Sequence, residues 1–224
     1  QYDEPLVSNG NLLGVRVRRV HLEEDAGRLV HNSDSNGHSH SYGHHSLVDF
    51  NRAGVPLMEL VTEPDINSAK QAANFARELQ IILRYLEVSD ADMEKGQMRI
   101  EVNISLDMGT KVEVKNINSF TAVEAAIDYE LKRQAELLKK KKKIVQETRG
   151  WDDTKKATFS QRSKEEAHDY RYFPEPDLPG LDVSKLKSLN SLKLEIPELP
   201  EQKRKRFIQE FKLSSEQVSI LVQD

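Results

Sequence analysis

The sequence predicts an α+β protein with a mainly antiparallel sheet and packed helices. Two observations lead to this class. Short segments with alternating apolar and polar residues are separated by turn residues, and two longer segments repeat their apolar residues at helical spacing. The prolines at 196–200 then mark a boundary before two further helical patterns. We therefore expect an α+β domain over residues 1–194 and the start of a helical domain over residues 195–224.

The composition restricts the chemistry of the chain. Its 224 residues are enough to bury a core, and without cysteine any metal must be held by oxygen or histidine ligands. No apolar run approaches the ~18 residues needed to span a bilayer, so we expect a soluble protein with no membrane partner. The net charge of −4 does not indicate a general polyanion binder, although local basic clusters remain candidates for RNA contact.

The first predicted strand introduces a candidate metal ligand. Residues 1–13 predict an extended segment with a turn at Asn9-Gly10, and residues 15–24 predict a strand. Glu24 shares the parity of two apolar residues in that strand, which would place it on the inward face. Because a buried carboxylate needs a partner or a metal, Glu24 is a better ligand candidate than Glu23. The alternative, that the strand ends earlier and both acids are solvated, stays open.

A histidine-rich segment follows. Residues 31–46 hold five of the seven histidines among Ser, Asn and Gly, a pattern that superficially suggests zinc. The segment has too few apolar residues to order itself, so we expect a mobile surface loop without a catalytic metal.

Residues 47–65 predict two strands separated by a break at Gly54 and Pro56. In the second strand Glu59 shares parity with Leu57 and Val61, so an acid again interrupts an apolar face. Glu59 is the second candidate ligand.

Two scaffold helices are predicted on either side of the central hairpin. Asn67 or Ser68 caps the first, whose apolar stripe is Ala72, Phe75, Ala76, Leu79, Ile82, Leu83 and Leu86. The second runs from Phe120 to Lys140, and its stripe is Val123, Ala126, Ile127, Leu131, Ala135 and Leu138. The lysines at 139–143 suit the negative helix end, and RNA contact is the alternative.

Residues 98–119 predict a hairpin that carries its polar chemistry on one face. Ile100, Val102, Ile104 and Leu106 alternate with polar residues, as do Val112 and Val114. A loop of Asp107, Met108 and Gly109 would pair Leu106 with Thr110. In that register Asn103 faces Glu113 and Glu101 faces Lys115.

Two interpretations of this polar face stay open. It is either an ordinary solvated sheet face with cross-strand Glu/Lys pairs or a site where carboxylates hold magnesium and Lys115 meets a phosphate. The second gains support because the strand leads into a helix N-terminus, where anions are favoured.

The remaining segments complete the domain. Residues 144–149 and 157–162 predict a second hairpin across residues 150–153, with Gln146, Thr148, Thr158 and Ser160 on one face. Residues 169–177 predict a rigid, non-helical segment. Residues 201–211 predict a helix, and Ser214 to Gln217 is a capping box that starts another.

These residues resemble one family: the B subunit of the tRNA-dependent amidotransferase that converts Glu-tRNA(Gln) to Gln-tRNA(Gln), or Asp-tRNA(Asn) to Asn-tRNA(Asn). The resemblance covers nearly the whole chain. The motifs that carry it are His21-Leu-Glu-Glu-Asp-Ala-Gly27, Ser46-Leu-Val-Asp-Phe-Asn-Arg-Ala-Gly54, Pro56-Leu-Met-Glu-Leu-Val-Thr-Glu-Pro-Asp65, Val114-Lys-Asn-Ile-Asn-Ser-Phe120, Gln146-Glu-Thr-Arg149 and Asp169-Tyr-Arg-Tyr-Phe-Pro-Glu-Pro-Asp177.

The resemblance implies a cradle-like catalytic domain and a ligase activity. ATP and magnesium serve to phosphorylate the side-chain carboxylate of a misacylated tRNA, and ammonia from a partner glutaminase (A) subunit displaces the phosphate. A small C subunit completes the complex. The location implied is the bacterial cytoplasm, with a mitochondrion or chloroplast as the alternative.

Residue roles also follow from the resemblance. The metal ligands carried over are Glu24, Glu59, Glu101 and Glu113. Glu113 and Lys115 are the catalytic candidates, and Lys115, Asn103, Arg52 and Arg99 are the candidate ATP or substrate contacts.

This sequence departs from the family pattern in ways that lead to an expectation of low activity. The family's N-terminal Gly-Leu-Glu-Val-His motif and most of its C-terminal helical region are not matched, so we expect an incomplete site and little activity from these residues alone. The His/Ser/Asn segment and the lysines near residue 141 also depart from the pattern. The alternative function is a non-catalytic scaffold that docks RNA or partner subunits.

Overall fold

The computed structural model describes residues 4–31, 46–106, 109–163 and 188–223, together with residues 177, 179, 180, 182 and 185. The α+β class is confirmed, because antiparallel sheets and helices both form in this part of the chain. The described residues divide into two compact units, one ending at Asp65 and the other beginning at Ile66. The predicted boundary at residue 194 stays a prediction.

The first unit consists of two antiparallel sheets. One has the order β1-β2-β5, formed by Val7–Leu12, Val15–Glu24 and Pro56–Thr62. The other pairs β3, Arg28–His31, with β4, Ser46–Asp49. The pattern predicts every strand of this unit except β1 and β3. The predicted mobile loop at 31–46 lies outside the described residues, apart from its two end residues in β3 and β4.

The first turn is one correction to the prediction. Asn9 and Gly10 lie within β1 rather than in a turn. The turn is at Leu13-Gly14, which have φ values of 50° and 78°, and it pairs Leu12 with Val15. Two successive residues with positive φ form the kind of two-residue hairpin turn that matches the twist of the strands.

The inward face of β2 is a second correction. Val15, Val17 and His21 are buried, whereas Leu22 is 60% exposed. The odd-numbered residues therefore form the buried face, and Glu24 lies on the exposed face with Leu22. The prediction of an inward Glu24 is wrong because β2 carries apolar residues at both parities, and alternation alone does not say which set is covered.

The second unit combines one sheet with helices. The sheet has the order β6-β7-β8-β9, formed by Ile100–Ile104, Val112–Ile117, Glu147–Asp152 and Ala157–Ser163. The helices are α1 Ala69–Tyr85, α2 Phe120–Lys139, α3 Ser188–Glu195, α4 Pro200–Phe211 and α5 Ser215–Leu221. Strands β7 and β8 are parallel and joined through α2, a crossover that the pattern does not predict. Helix α3 is not predicted either.

Serine side chains set the beginnings of α1 and α2. Ser68 and Ser119 are the N-caps, and their hydroxyls accept hydrogen bonds from the backbone N–H groups of Gln71 and Ala122. Helix α2 then packs on the sheet, and α1 packs against α2, both through small and branched residues. The main core cluster is Ala69, Ala72, Ala73, Ile104, Val114, Ile117, Ala122, Val123, Ala126, Ile127 and Trp151.

The second half of α2 is a third correction. The predicted stripe continues through Leu138, which is 48% exposed. Glu130 and Gln134 are instead fully buried. The helix thus turns a polar strip towards β8 and β9, where basic and hydroxyl groups meet it.

The second hairpin also differs from its prediction. Residues 150–152 belong to β8, so the turn is at residues 153–156. Thr148 donates a hydrogen bond to Glu113, whereas Thr158 donates one to Glu130 on the helix side of the sheet. The two threonines therefore lie on opposite faces. Thr158 pairs with Trp151, which shares a face with Arg149, whereas Thr148 is the neighbour of Arg149 and alternates to the other face.

The C-terminal helices are bound to α1. Arg204 makes two hydrogen bonds with Glu78 at 2.8 and 2.7 Å, and Tyr85 donates one to the carbonyl oxygen of Val222. The predicted capping box at Ser214 and Gln217 is confirmed. None of the helices among the described residues is both long and apolar enough to cross a membrane. Of the predicted segment at 169–177, only Asp177 lies within the described residues.

Candidate functional site

The central hairpin brings together two acids and a lysine of the second unit. Asn103 pairs with Glu113 as predicted. The Lys115 ammonium lies 3.1 Å from a Glu101 carboxylate oxygen and 3.7 Å from one of Glu113. The side chains of Lys115 and Glu113 are 30% and 29% exposed, so both are held at the surface but remain accessible. The predicted loop at 107–109 includes two residues outside the described part, and its conformation is not described.

Thr148 fixes the second oxygen of Glu113. Its hydroxyl donates to Glu113 Oε2 at 2.7 Å, while Oε1 is the oxygen nearer Lys115. The parallel pairing of β7 with β8 places Thr148 beside Glu113. One carboxylate is thereby held between a hydroxyl and an ammonium group, an arrangement that the hairpin prediction did not include.

An open groove runs beside this cluster. Its volume is about 460 Å³, within the range of small-molecule sites. Arg99, Glu101 and Lys115 contribute charge to it, and it is lined further by Met93, Gly96, Met98, Ile100, Asn116, Ile117 and Asn118. Of the predicted contacts, Arg99 thus lies with Lys115 along the groove, whereas Asn103 lies on the exposed face of β6 opposite Glu113.

The first unit contains a second acidic cluster. Glu59 lies opposite His21 in the pairing of β2 with β5. Arg19 donates to His21 Nδ1 at 3.2 Å and to a Glu59 oxygen at 3.3 Å. The predicted placement of Glu59 on the less exposed side of its strand is therefore supported, and an imidazole and a guanidinium accompany it.

Glu23 rather than Glu24 is the acid beside Glu59. Burial raises the pKa of Glu23, and the charge of Glu59 and a hydrogen bond with Glu59 raise it further. Two carboxyl groups this close cannot both ionise without repulsion. Glu24 lies opposite Pro56 on the other face, so its assignment as a metal ligand stays a prediction.

Arg52 links the motif at 46–54 to the motif at 21–27. It lies 2.9 Å from an Asp25 carboxylate oxygen, and the N–H of Gly54 donates to the Asp25 carbonyl at 2.8 Å. Gly27 lies against the Phe50 ring, where an added Cβ would come within 2.9 Å. The motifs ending at Gly27 and Gly54 are therefore packed together, and a substrate contact by Arg52 stays a prediction.

A buried charge network behind the sheet is the largest feature that the sequence prediction missed. Glu130 accepts two hydrogen bonds from Arg133 at 2.8 and 2.6 Å, and Arg149 lies 3.7 Å away. Hydrogen bonding to Glu130 raises the pKa of Arg133. Glu130, Arg133 and Gln134 follow helical spacing, which is the signal that could have indicated a polar strip on α2.

Glu147 joins this network from β8. Arg149 donates to it at 2.7 Å, and Ser160 donates to its other oxygen. Burial alone would raise the pKa of Glu147, but the hydrogen bonds from Ser160 and Arg149 and the nearby positive charges outweigh it and lower the pKa. The motif at 146–149 therefore has two roles. Thr148 binds Glu113, and the neighbouring Glu147 and Arg149 form ion pairs with α2.

No group of three or more histidine, aspartate or glutamate side chains is arranged to hold a metal ion within the described residues. The carboxylates form pairs instead, Glu23 with Glu59 in the first unit and Glu101 with Glu113 around Lys115 in the second. The convergence of Glu24, Glu59, Glu101 and Glu113 at one site stays a prediction.

The chain belongs to the family described as the GatB/GatE catalytic domain, which matches residues 1–188. This assignment agrees with the resemblance carried by the motifs around both acidic pairs.

Among curated proteins, the chain is similar to the B subunit of aspartyl/glutamyl-tRNA(Asn/Gln) amidotransferase from several organisms. The protein of Persephonella marina is 48% identical over 238 aligned positions, which cover 100% of this chain and 48% of the relative. Those of Crocosphaera subtropica and Rippkaea orientalis are 48% and 47% identical, with the same coverage. The chain thus spans about half the length of these relatives.

Proposed function

We propose that this chain forms the phosphorylating part of a tRNA-dependent amidotransferase. The reaction is ATP- and magnesium-dependent phosphorylation of the side-chain carboxylate of Glu-tRNA(Gln) or Asp-tRNA(Asn), followed by amidation to Gln-tRNA(Gln) or Asn-tRNA(Asn). The proposal rests on the family assignment, on the names of the relatives and on the geometry of the polar hairpin face.

The observation that carries the proposal is the placement of Lys115. Its ammonium is held by Glu101 and Glu113 at the side of an open groove that Arg99 also lines. An ammonium held in this way meets a phosphate as a point charge, and a neighbouring guanidinium offers a planar second contact.

The acids fit a hard cation by the chemistry of their donors. Glu101 and Glu113 offer carboxylate oxygens, which magnesium prefers, and Glu59 with Glu23 offers a crowded pair whose repulsion a cation would relieve. We therefore propose Glu59, Glu101 and Glu113 as holding residues, with Glu23 as the closer neighbour of Glu59 and Glu24 retained from the sequence prediction. Bound magnesium would neutralise charge on the transferred phosphoryl group.

The chemistry needs no protein nucleophile. A carboxylate oxygen of the aminoacyl side chain attacks the γ-phosphorus of ATP, the bond to the bridging oxygen breaks, and ADP leaves with that electron pair. Lys115 and Arg99 orient the phosphates and balance their charge, so positioning and electrostatics supply the catalysis. Ammonia then attacks the acyl carbon, inorganic phosphate leaves, and the amide forms after proton loss.

The partners are proposed on the same basis. The acyl phosphate reacts with water as well as with ammonia, so the site must be shielded and supplied directly. A glutaminase (A) subunit would supply the ammonia, a small C subunit would complete the complex, and the misacylated tRNA would be the substrate.

Replacement of Lys115 by methionine tests the proposed function. In the full-length protein assembled with its partner subunits, Lys115→Met should raise KM for ATP and lower acyl phosphate formation, because the phosphate loses its point charge. Lys111→Met is the matched control, since Lys111 is an exposed lysine just before the same strand. Equal activity of the Lys115→Met and wild-type enzymes would refute the proposal.

A further inference from the structure

Asn116 interrupts β7 with a left-handed backbone. Its φ is 64°, a region that asparagine adopts several times more often than most other residues. The residue follows Lys115 directly and lines the same groove. A non-glycine residue with positive φ inside a strand is uncommon, and such residues cluster at functional sites.

The register of the hairpin changes at the same place. Val102 pairs with Val114, but Ile100 pairs with Ile117. Strand β7 therefore has one residue more than β6 between these pairs. This extra residue is a β-bulge, in which two residues of one strand lie opposite a single residue of the other.

The bulge reverses the faces of the residues that follow it. Val112 and Val114 are buried, so plain alternation would also bury Asn116 and expose Ile117. The opposite is observed: Asn116 is exposed and Ile117 is only 5% exposed. Two successive polar side chains thus lie on the groove side, and the chain returns to the core just before α2.

We propose that Asn116 is a positioning residue whose left-handed backbone holds Lys115 in place at the groove. Bulges beside active sites re-aim side chains, and here the bulge keeps Lys115 beside its two acids while Ile117 anchors the next turn. The inference rests on the proposed function of Lys115 as a phosphate contact. The backbone conformation rather than the amide group carries the role.

Substitutions at Asn116 distinguish the effect of its backbone conformation from the effect of its side-chain amide. Valine is strongly disfavoured at this φ, whereas glycine adopts it freely. In the full-length complex, Asn116→Val should raise KM for ATP on the order of tenfold or more, because small misplacements of a binding group are costly. Asn116→Gly should recover most of the loss, and Asn116→Ala should be intermediate and provides a milder variant if valine prevents folding.

Asn9 offers a matched control. It lies in β1 of the first unit with a φ of 62°, so Asn9→Val imposes the same backbone strain in a different strand and unit. Asn9→Val should lower the melting temperature as Asn116→Val does, but leave KM for ATP unchanged. A change of KM with Asn9→Val would show that strain alone produces the effect and would overturn the inference.

Two results at Asn116 itself would also overturn the inference. Glycine and valine variants with equal loss would assign the role to the amide, and a valine variant with the wild-type KM would show that the bulge has no role. Lys115→Met, measured in parallel, distinguishes failure of the positioning role from failure of the proposed function. If that variant loses ATP affinity while Asn116→Val does not, only the positioning inference fails, whereas a fully active Lys115→Met enzyme contradicts the proposed function itself.

Discussion

At the scale of single residues, the side chains that matter most are those that hold another group in place. Glu113 has one oxygen bound by Thr148 and the other directed towards Lys115. A carboxylate fixed at both oxygens loses little further freedom when a ligand binds, which is the advantage of a pre-organised site.

Removal of the Thr148 hydroxyl should therefore weaken phosphorylation. Thr148→Val keeps the shape but leaves Glu113 Oε2 without this donor, and a hydrogen bond to a charged group contributes about 1.5–3 kcal/mol. We expect kcat/KM for acyl phosphate formation to fall roughly tenfold, with recovery in Thr148→Ser. Thr154→Val, in the exposed turn of the same hairpin, is the control. An unchanged kcat/KM would show that Glu113 does not depend on this bond.

The pair of Glu23 and Glu59 predicts a pH-dependent stability. The pKa of Glu23 is raised in the folded protein, so its ionised form destabilises the fold. Stability from this group is fully present below the ordinary glutamate pKa and is lost as the pH rises through the raised pKa. Glu23→Gln should therefore raise the melting temperature at pH 7 to 8, and the gain should disappear near pH 4. A gain that persists in acid would exclude repulsion as its cause.

At the scale of elements, features set by neighbouring residues could be predicted from the sequence, whereas pairings between distant segments could not. The N-cap of α1, the length of α2 and the pairing of Asn103 with Glu113 could be predicted, because caps, helical periodicity and alternation depend on neighbouring residues. The parity of β2 could not, since apolar residues occur on both of its faces. The β7–β8 pairing and the Thr148 contact depend on a crossover between distant segments, which no local pattern encodes.

The buried polar strip of α2 shows the same limit. Glu130 and Gln134 contradict the apolar stripe, but they are accommodated because Arg133, Arg149 and Thr158 surround the Glu130 carboxylate, to which Gln134 also donates. A helical pattern shows that such residues share a face of the helix. It does not show that the strands packed against this face supply basic and hydroxyl partners for them.

Neutralisation of Glu130 should destabilise the second unit. Glu130→Gln leaves Glu147 as the one remaining acid of the network for Arg133 and Arg149, and breaking a buried ion pair costs about 3–5 kcal/mol. We expect a loss of about 3 kcal/mol in the free energy of unfolding, measured by denaturant titration. Asp128→Asn, on the exposed face of the same helix, should change it by less than about 0.5 kcal/mol. Equal effects of the two substitutions would contradict a stabilising role for the network.

At the scale of the whole molecule, the described units each contain one acidic pair, and the candidate site residues come from motifs far apart in sequence. Alternation and motif resemblance indicated Glu59, Glu101, Glu113 and Lys115 as candidates, and the last three lie together in the structure. They missed Glu23, Thr148 and the bulge at Asn116, because each depends on which face a strand turns to its neighbours.

The most direct test is the reaction of a Glu113→Gln enzyme in the full-length, assembled complex. The substitution keeps the shape of the side chain but removes the charge beside Lys115, so formation of the acyl phosphate on misacylated tRNA should be abolished. Glutamine hydrolysis by the proposed glutaminase partner needs no acid from this chain and should stay measurable, and Glu136→Gln, an exposed change on α2, should affect neither activity. A Glu113→Gln enzyme that forms the acyl phosphate at the wild-type rate would show that the acids of this hairpin are only a solvated face.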